Sequence, residues 1–90
     1  MGRGKHRKTL KAVFAAPPPA NVKWAAIEAL VVALGGEVLQ MGGSVVAFLL
    51  NDRRGVFHRP HPSPEAKRGQ LRRVRRFLEN AGIQPEGEES

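Results

Sequence analysis

Hydrophobic positions along this chain change their spacing twice, and those changes divide it into elements. Over residues 5–15, Leu10, Val13 and Phe14 fall on one side of a short helix. Ala16-Pro17-Pro18-Pro19-Ala20 then predicts an extended linker, because successive prolines remove amide donors and push each preceding residue out of the helical region. Asn21 suits the N-cap of a second helix, in which Trp24, Ile27, Leu30, Val31 and Leu34 recur at helical spacing until Gly35-Gly36 ends it. Beyond that point the period becomes that of strands. Residues 37–41 predict a short strand, Gly42-Gly43-Ser44 a turn, residues 45–50 an apolar strand, Asn51-Asp52-Arg53-Arg54-Gly55 a second turn, and residues 56–59 a third strand. Connections this short leave no room for parallel crossovers, so the sheet is expected to be an antiparallel meander. Pro60, Pro62 and Pro64 keep the next loop extended until Ser63 caps the last helix, with Pro64 at its first position and Gly82 after its end. In that helix Leu71, Val74, Phe77, Leu78 and Ala81 form one stripe, while Arg68, Arg72, Arg75 and Arg76 face the other way. The expected fold class is α+β, a two-layer α-β-β-β-α domain with two helices on a three-stranded antiparallel sheet, preceded by an extra N-terminal helix.

Composition narrows the chemistry. Ninety residues make one small domain with a modest core. The absence of cysteine excludes disulfides and thiolate metal sites. The longest apolar run, between positions 25 and 34, is interrupted by Glu28 and falls far short of the roughly 20 residues that span a bilayer. No signal-like apolar region follows the basic start, so a cytoplasmic location without membrane contact is expected. The net charge is +7, and it is unevenly spread: five cations crowd the first eleven residues, and nine lie between positions 53 and 76 against Glu65 alone. Glu86-Gly87-Glu88-Glu89-Ser90 ends the chain with the opposite sign. Such a field attracts polyanions, nucleic acid above all, with an acidic protein partner as the alternative.

Residues 21–83 resemble a known family, the HicA toxins of HicAB toxin-antitoxin systems. The matching features are the amphipathic helix opening at Trp24, the Gly43-Ser44 turn with an aromatic at Phe48, the Pro60-His61 pair, Glu65-Ala66-Lys67-Arg68-Gly69-Gln70-Leu71 opening the last helix, and the ending Ala81-Gly82-Ile83. The resemblance implies a fold like the double-stranded-RNA-binding domain. It also implies an mRNA interferase that binds and cuts RNA without a metal or small-molecule cofactor, and a HicB-like antitoxin partner. Residues 1–20, a basic helix and proline-rich linker, lie outside the resemblance, and residues 84–90 are expected to be an acidic disordered tail. The chain departs from the family pattern at one position. The turn is typically Gly-Ser-His, with the histidine catalytic, and the matching position here is Val45. Three readings stay open: inactivation, a site moved to His58 or His61, or a module that only binds. With Phe48 facing the core, Val45, Ala47 and Leu49 face the other side of the sheet. That apolar side wants a cover, from Leu10, Val13 and Phe14 of the extra helix or from a partner protein.

Metal-independent RNA cleavage needs a base near the 2′-hydroxyl, an acid near the leaving 5′-oxygen, and cations around the phosphorus. Imidazole is the side chain that titrates nearest neutrality, which makes His58 and His61 the candidate catalytic residues. Arg59, Lys67 and Arg68 are the adjacent candidates for holding phosphate, and Arg72 and Arg76 extend the RNA-binding set along the last helix. Lys67 is expected in that helix's first turn, where free amides also favour an anion. No third ligand accompanies His58 and His61, so no metal site is expected. Trp24 reads as a core anchor, because it falls on the apolar face of its helix.

Overall fold

In the computed structural model, which describes residues 2–85, the elements run α1 (Gly2–Val13), α2 (Trp24–Ala33), β1 (Glu37–Gly42), β2 (Val45–Leu50), β3 (Arg53–His58) and α3 (Arg68–Asn80). Alternation along β2 decides the layering. Val46, Phe48 and Leu50 are buried beneath the helices, with α2 against β1 and α3 against β3. The sheet is an antiparallel meander in the order β1-β2-β3. This is the expected α-β-β-β-α core with an extra helix before it. The expected acidic tail lies, from residue 86 onward, outside the described residues.

Four aromatic rings fix the centre of the core. Trp24, only 4% exposed, stacks on Phe48 at 5.7 Å and 21°, and Phe57 lies 4.8 Å from Phe48. Phe77 meets Phe57 edge-on at 6.0 Å and 83°. Aromatic pairs in such offset or edge geometries contribute roughly 0.5–1.5 kcal/mol each beyond area burial. Trp24 is therefore an anchor of the core, as its position on the apolar stripe predicts.

Local expectations fail where tertiary bonds replace local ones. Asn21 does not cap α2; Lys23 holds that position without a side-chain cap bond. The amide of Trp24 instead donates to the Pro64 carbonyl at 2.9 Å, and the Ala66 amide donates to the Val22 carbonyl at 2.8 Å. That antiparallel bridge, centred on Lys23 and Glu65, holds residues 64–66 extended, so α3 starts at Arg68 rather than after Ser63. The Ser63 hydroxyl accepts the Glu65 amide in a local turn at 3.1 Å. Lys67 becomes the residue preceding the first turn of α3. The linker also bends rather than running extended: Pro18 is buried, and its carbonyl accepts Arg68 Nε at 3.1 Å.

The second hairpin is tighter than the sequence suggests. Asn51 and Asp52 both take left-handed backbone angles, φ 50° and 67°, the conformation that matches a two-residue turn to strand twist. Pairing therefore resumes at once with Leu50 opposite Arg53, which turns Arg53, Arg54 and Gly55 into strand. A Cβ on Gly55 would stand 2.8 Å from Phe57 Cε1 and 2.9 Å from Phe77 Cδ1, so the glycine leaves space for the two rings.

The first helix does not cover the open side of the sheet. Leu10 and Val13 are buried, but α1 packs on α2 and α3, because the bent linker returns it to the helical layer. Phe14 is half-buried and carries the Arg75 guanidinium 5.6 Å above its ring. The outer sheet face consequently keeps Leu39, Met41 and Val56 at 40–49% exposure.

One carboxylate ties α2 to the sheet. Glu28 Oε2 accepts Trp24 Nε1 at 2.7 Å and Arg59 Nε at 2.8 Å, while Oε1 accepts Arg59 NH2 at 3.2 Å. Arg59 NH1 also donates to Gln40 Oε1, and Gln40 Nε2 donates to the Gly43 carbonyl at 2.9 Å. The hydrogen bond with Glu28, with charge attraction adding to it, raises the Arg59 pKa against the desolvation that opposes it. The guanidinium thus stays cationic, and the chain Trp24–Glu28–Arg59–Gln40 ends on the β1–β2 turn.

Three outcomes follow from these contacts. In urea unfolding, Gly55→Ala is expected to destabilise the domain by about 1–3 kcal/mol through overpacking. Gly69→Ala, with nothing within 4 Å of the added carbon, is expected to leave stability unchanged or raise it by up to about 1 kcal/mol through helix propensity. Glu28→Gln is expected to speed amide hydrogen exchange at Val45 and Arg59 more than at Val74 in α3. Equal acceleration at all three would show that the network does not hold the turn.

Candidate functional site

The register of the second hairpin brings His58 to Val45. The two are Cα partners across β2 and β3, and directly opposed residues of an antiparallel pair project to the same face with Cβ atoms about 4.5–5.5 Å apart. Both point to the outer face, which the helices leave open. An imidazole thus stands beside the position to which the HicA resemblance assigns its histidine, one strand over.

Backbone and side-chain bonds fix that end of β3. The Arg59 amide donates to the Ser44 carbonyl at 2.7 Å, extending the pairing one residue past the strand. On the other side, Gln70 Oε1 accepts the Lys67 amide at 3.0 Å, and Gln70 Nε2 donates to the His58 carbonyl at 2.7 Å. One amide side chain therefore joins the start of α3 to the end of β3. Strand alternation sends Arg59 to the opposite, inner face from His58, where Glu28 and Gln40 engage it. The guanidinium expected to hold phosphate is engaged there as a clamp between helix and sheet, with its side chain 39% exposed.

The remaining candidates separate into two places. His61 lies in the loop and lines a cleft of about 460 Å³ with Pro60, Glu65, Lys67 and Arg68; His58 is not part of that lining. Lys67 is exposed there, whereas Arg68 is partly engaged by the Pro18 carbonyl. Arg72 and Arg76, one turn apart on α3, line a separate groove with Arg54. Among the described residues no three His, Cys, Asp or Glu side chains cluster as metal ligands do. No helix among them is long and apolar enough to cross a membrane.

Several participants escape a reading of the sequence. Gln70 stands three residues after the residue preceding its helix, the spacing of a capping box, and that spacing was the available signal. Arg54 hides inside what reads as a five-residue turn. Glu28 reads only as an interruption of an apolar run, although its place one turn after Trp24 puts both on one helix face.

A family model described as HicA toxin of bacterial toxin-antitoxin matches residues 24–83, which spans α2 through the end of α3 and leaves α1 outside. No curated protein and no solved structure matches the chain. Two thirds of the sequence lies within that match, and the fold agrees with it: the chain belongs to the HicA toxin family, and so is a toxin component of a toxin-antitoxin system with an antitoxin as its partner.

Proposed function

We propose that this HicA-family toxin is an RNA-binding endoribonuclease, an mRNA interferase in which His58 performs proton transfers that the family assigns to a histidine at the position of Val45. The observation that carries the reading is the pairing of Val45 with His58. Valine can neither donate nor accept a proton, and the imidazole nearest to it in the sheet register is His58. The same reading assigns the protein a cytoplasmic location with its mRNA and a HicB-like antitoxin as the partner that silences it.

The chemistry is transesterification within the RNA. The 2′-oxygen attacks the adjacent phosphorus, the bond from phosphorus to the 5′-oxygen breaks, and a 2′,3′-cyclic phosphate and a 5′-hydroxyl result. His58 takes the 2′-hydroxyl proton as base or supplies the 5′-oxygen with one as acid. The complementary imidazole is assigned to His61, which lines its own cleft with Lys67 and Arg68 at the opening of α3, where the two cations oppose the negative charge that grows on the phosphoryl oxygens. Arg59 contributes indirectly, by holding the turn that carries Ser44 and Val45.

Val45 itself favours a second reading, in which the chain binds RNA or its antitoxin without cutting. Single-turnover cleavage of a labelled single-stranded RNA in EDTA separates the two. The endoribonuclease reading expects cleavage with cyclic phosphate ends, lowered at least about 100-fold by His58→Ala, since general acid–base groups contribute roughly that much or more. RNA binding and melting temperature should stay unchanged in that variant. RNA that is bound and left intact by the parent chain would establish the second reading instead.

A further inference from the structure

One arginine of β3 and two of α3 line a groove that no proton-transfer step above uses. It lies along the free edge of β3 and has a volume of about 380 Å³. Arg54 lines it from the strand, and Arg72, Arg76 and Asn80 line it from the helix. All three arginines are exposed, and none has an ion pair or side-chain hydrogen bond among the described residues. No acid lines the groove. Arg73 is different: its NH2 donates to the Val56 carbonyl at 3.1 Å, and its guanidinium sits 5.3 Å over the Phe57 ring. It is part of the floor, where it blunts the edge of β3.

We propose that this groove is the track for one strand of RNA, held by its phosphates between Arg54 and the Arg72–Arg76 pair and led toward His58. The proposal rests on the RNA-binding reading above and assigns it a place and a substrate form. Cations from a strand and from a helix along one groove of this volume suit a single anionic chain, whereas a duplex presents its two backbones far apart. Phe57 and Phe77 in the floor are only 3% and 6% exposed. They therefore provide neither the apolar anchor around which protein interfaces are built nor a platform on which bases stack. What the groove offers is charge, so binding should be strong at low salt and indifferent to base sequence. Arg54 and His58 both lie on the outer side of β3, four residues apart. Arg54 therefore stands about 13 Å along the strand from His58, a few nucleotides of an extended chain, and the lining continues through Val56 and Phe57 toward it. The opening of α3, where duplex recognition by this type of fold would be centred, lies at the other end of the helix from Asn80.

The test uses the full chain and a short labelled RNA of mixed sequence carrying 2′-O-methyl groups, which blocks attack by the 2′-oxygen and keeps binding independent of cleavage. Affinity is measured against salt for this strand and for its duplex. The triple variant Arg54→Gln, Arg72→Gln, Arg76→Gln should weaken single-strand binding at least about tenfold and lower the salt slope by about 2, at roughly 0.7 per lost phosphate contact. Lys8→Gln with Lys11→Gln in α1 should change neither, and circular dichroism checks that both variants fold. Equal binding by parent and triple variant, or loss only on Lys67→Gln with Arg68→Gln, would overturn the groove, as would tighter binding of duplex than of strand. The two readings fail separately. A strand bound through the groove but never cut when unmodified removes the nuclease and keeps the track. RNA bound and cut as fast by the triple variant as by the parent removes the track and keeps the nuclease.

Discussion

The Glu28 carboxylate is the point on which the geometry of the site depends. It accepts the Trp24 indole N–H and the Nε and NH2 of the Arg59 guanidinium, so one helical side chain sets the packing of the central aromatic and the course of the chain where it leaves β3. Arg59 then carries the constraint to Gln40, and Gln40 to the Gly43 carbonyl of the β1–β2 turn. That turn and the end of β3 are the two segments that bring Val45 opposite His58. Without the carboxylate, the guanidinium would lose its counter-charge, and the turn would lose its tie to α2. The interaction gives the arginine beside the two histidines a carboxylate partner on α2.

The charge left over is distributed with the layers. The helical layer takes α1 as well as α2 and α3, so Arg72 and Arg76 stand on a helix buttressed from behind, while the outer face of the sheet stays bare. His58 sits at the margin of that bare face, beside Val45 and near exposed Leu39, Met41 and Val56. In the proposed reading, cations bind the RNA backbone along the edge of the sheet while an imidazole on its open face does the chemistry. An antitoxin that covered the apolar positions would then cover the imidazole as well.

The fold was largely legible because its signals are periodic. The stripe from Trp24 to Val31, the alternation of β2 and the stripe from Leu71 to Ala81 each commit one face to the core, and the structure buries those faces. What was not legible depends on partners distant in sequence. Asn21 and Ser63 have the chemistry of helix caps, but the bridge between Val22–Trp24 and Pro64–Ala66 supplies those bonds and delays α3 by four residues. The Asn51-Asp52 turn reads as longer than it is, because Arg53, Arg54 and Gly55 look polar and flexible until Phe57 and Phe77 are seen to need the glycine's empty side. Of the candidate site, both histidines were singled out by their residue type, but their separation was not foreseen. A strand's period places His58 and Arg59 on opposite faces only once β3 is known to reach them.

The central claim is that an imidazole on β3 stands in for one on β2. The most direct measurement is RNA cleavage by a swapped pair, Val45→His combined with His58→Val, compared with His58→Val alone. The account predicts that His58→Val abolishes cutting and that the swap restores it, because the two positions share one face across one register. Cleavage that survives His58→Val unchanged would contradict it.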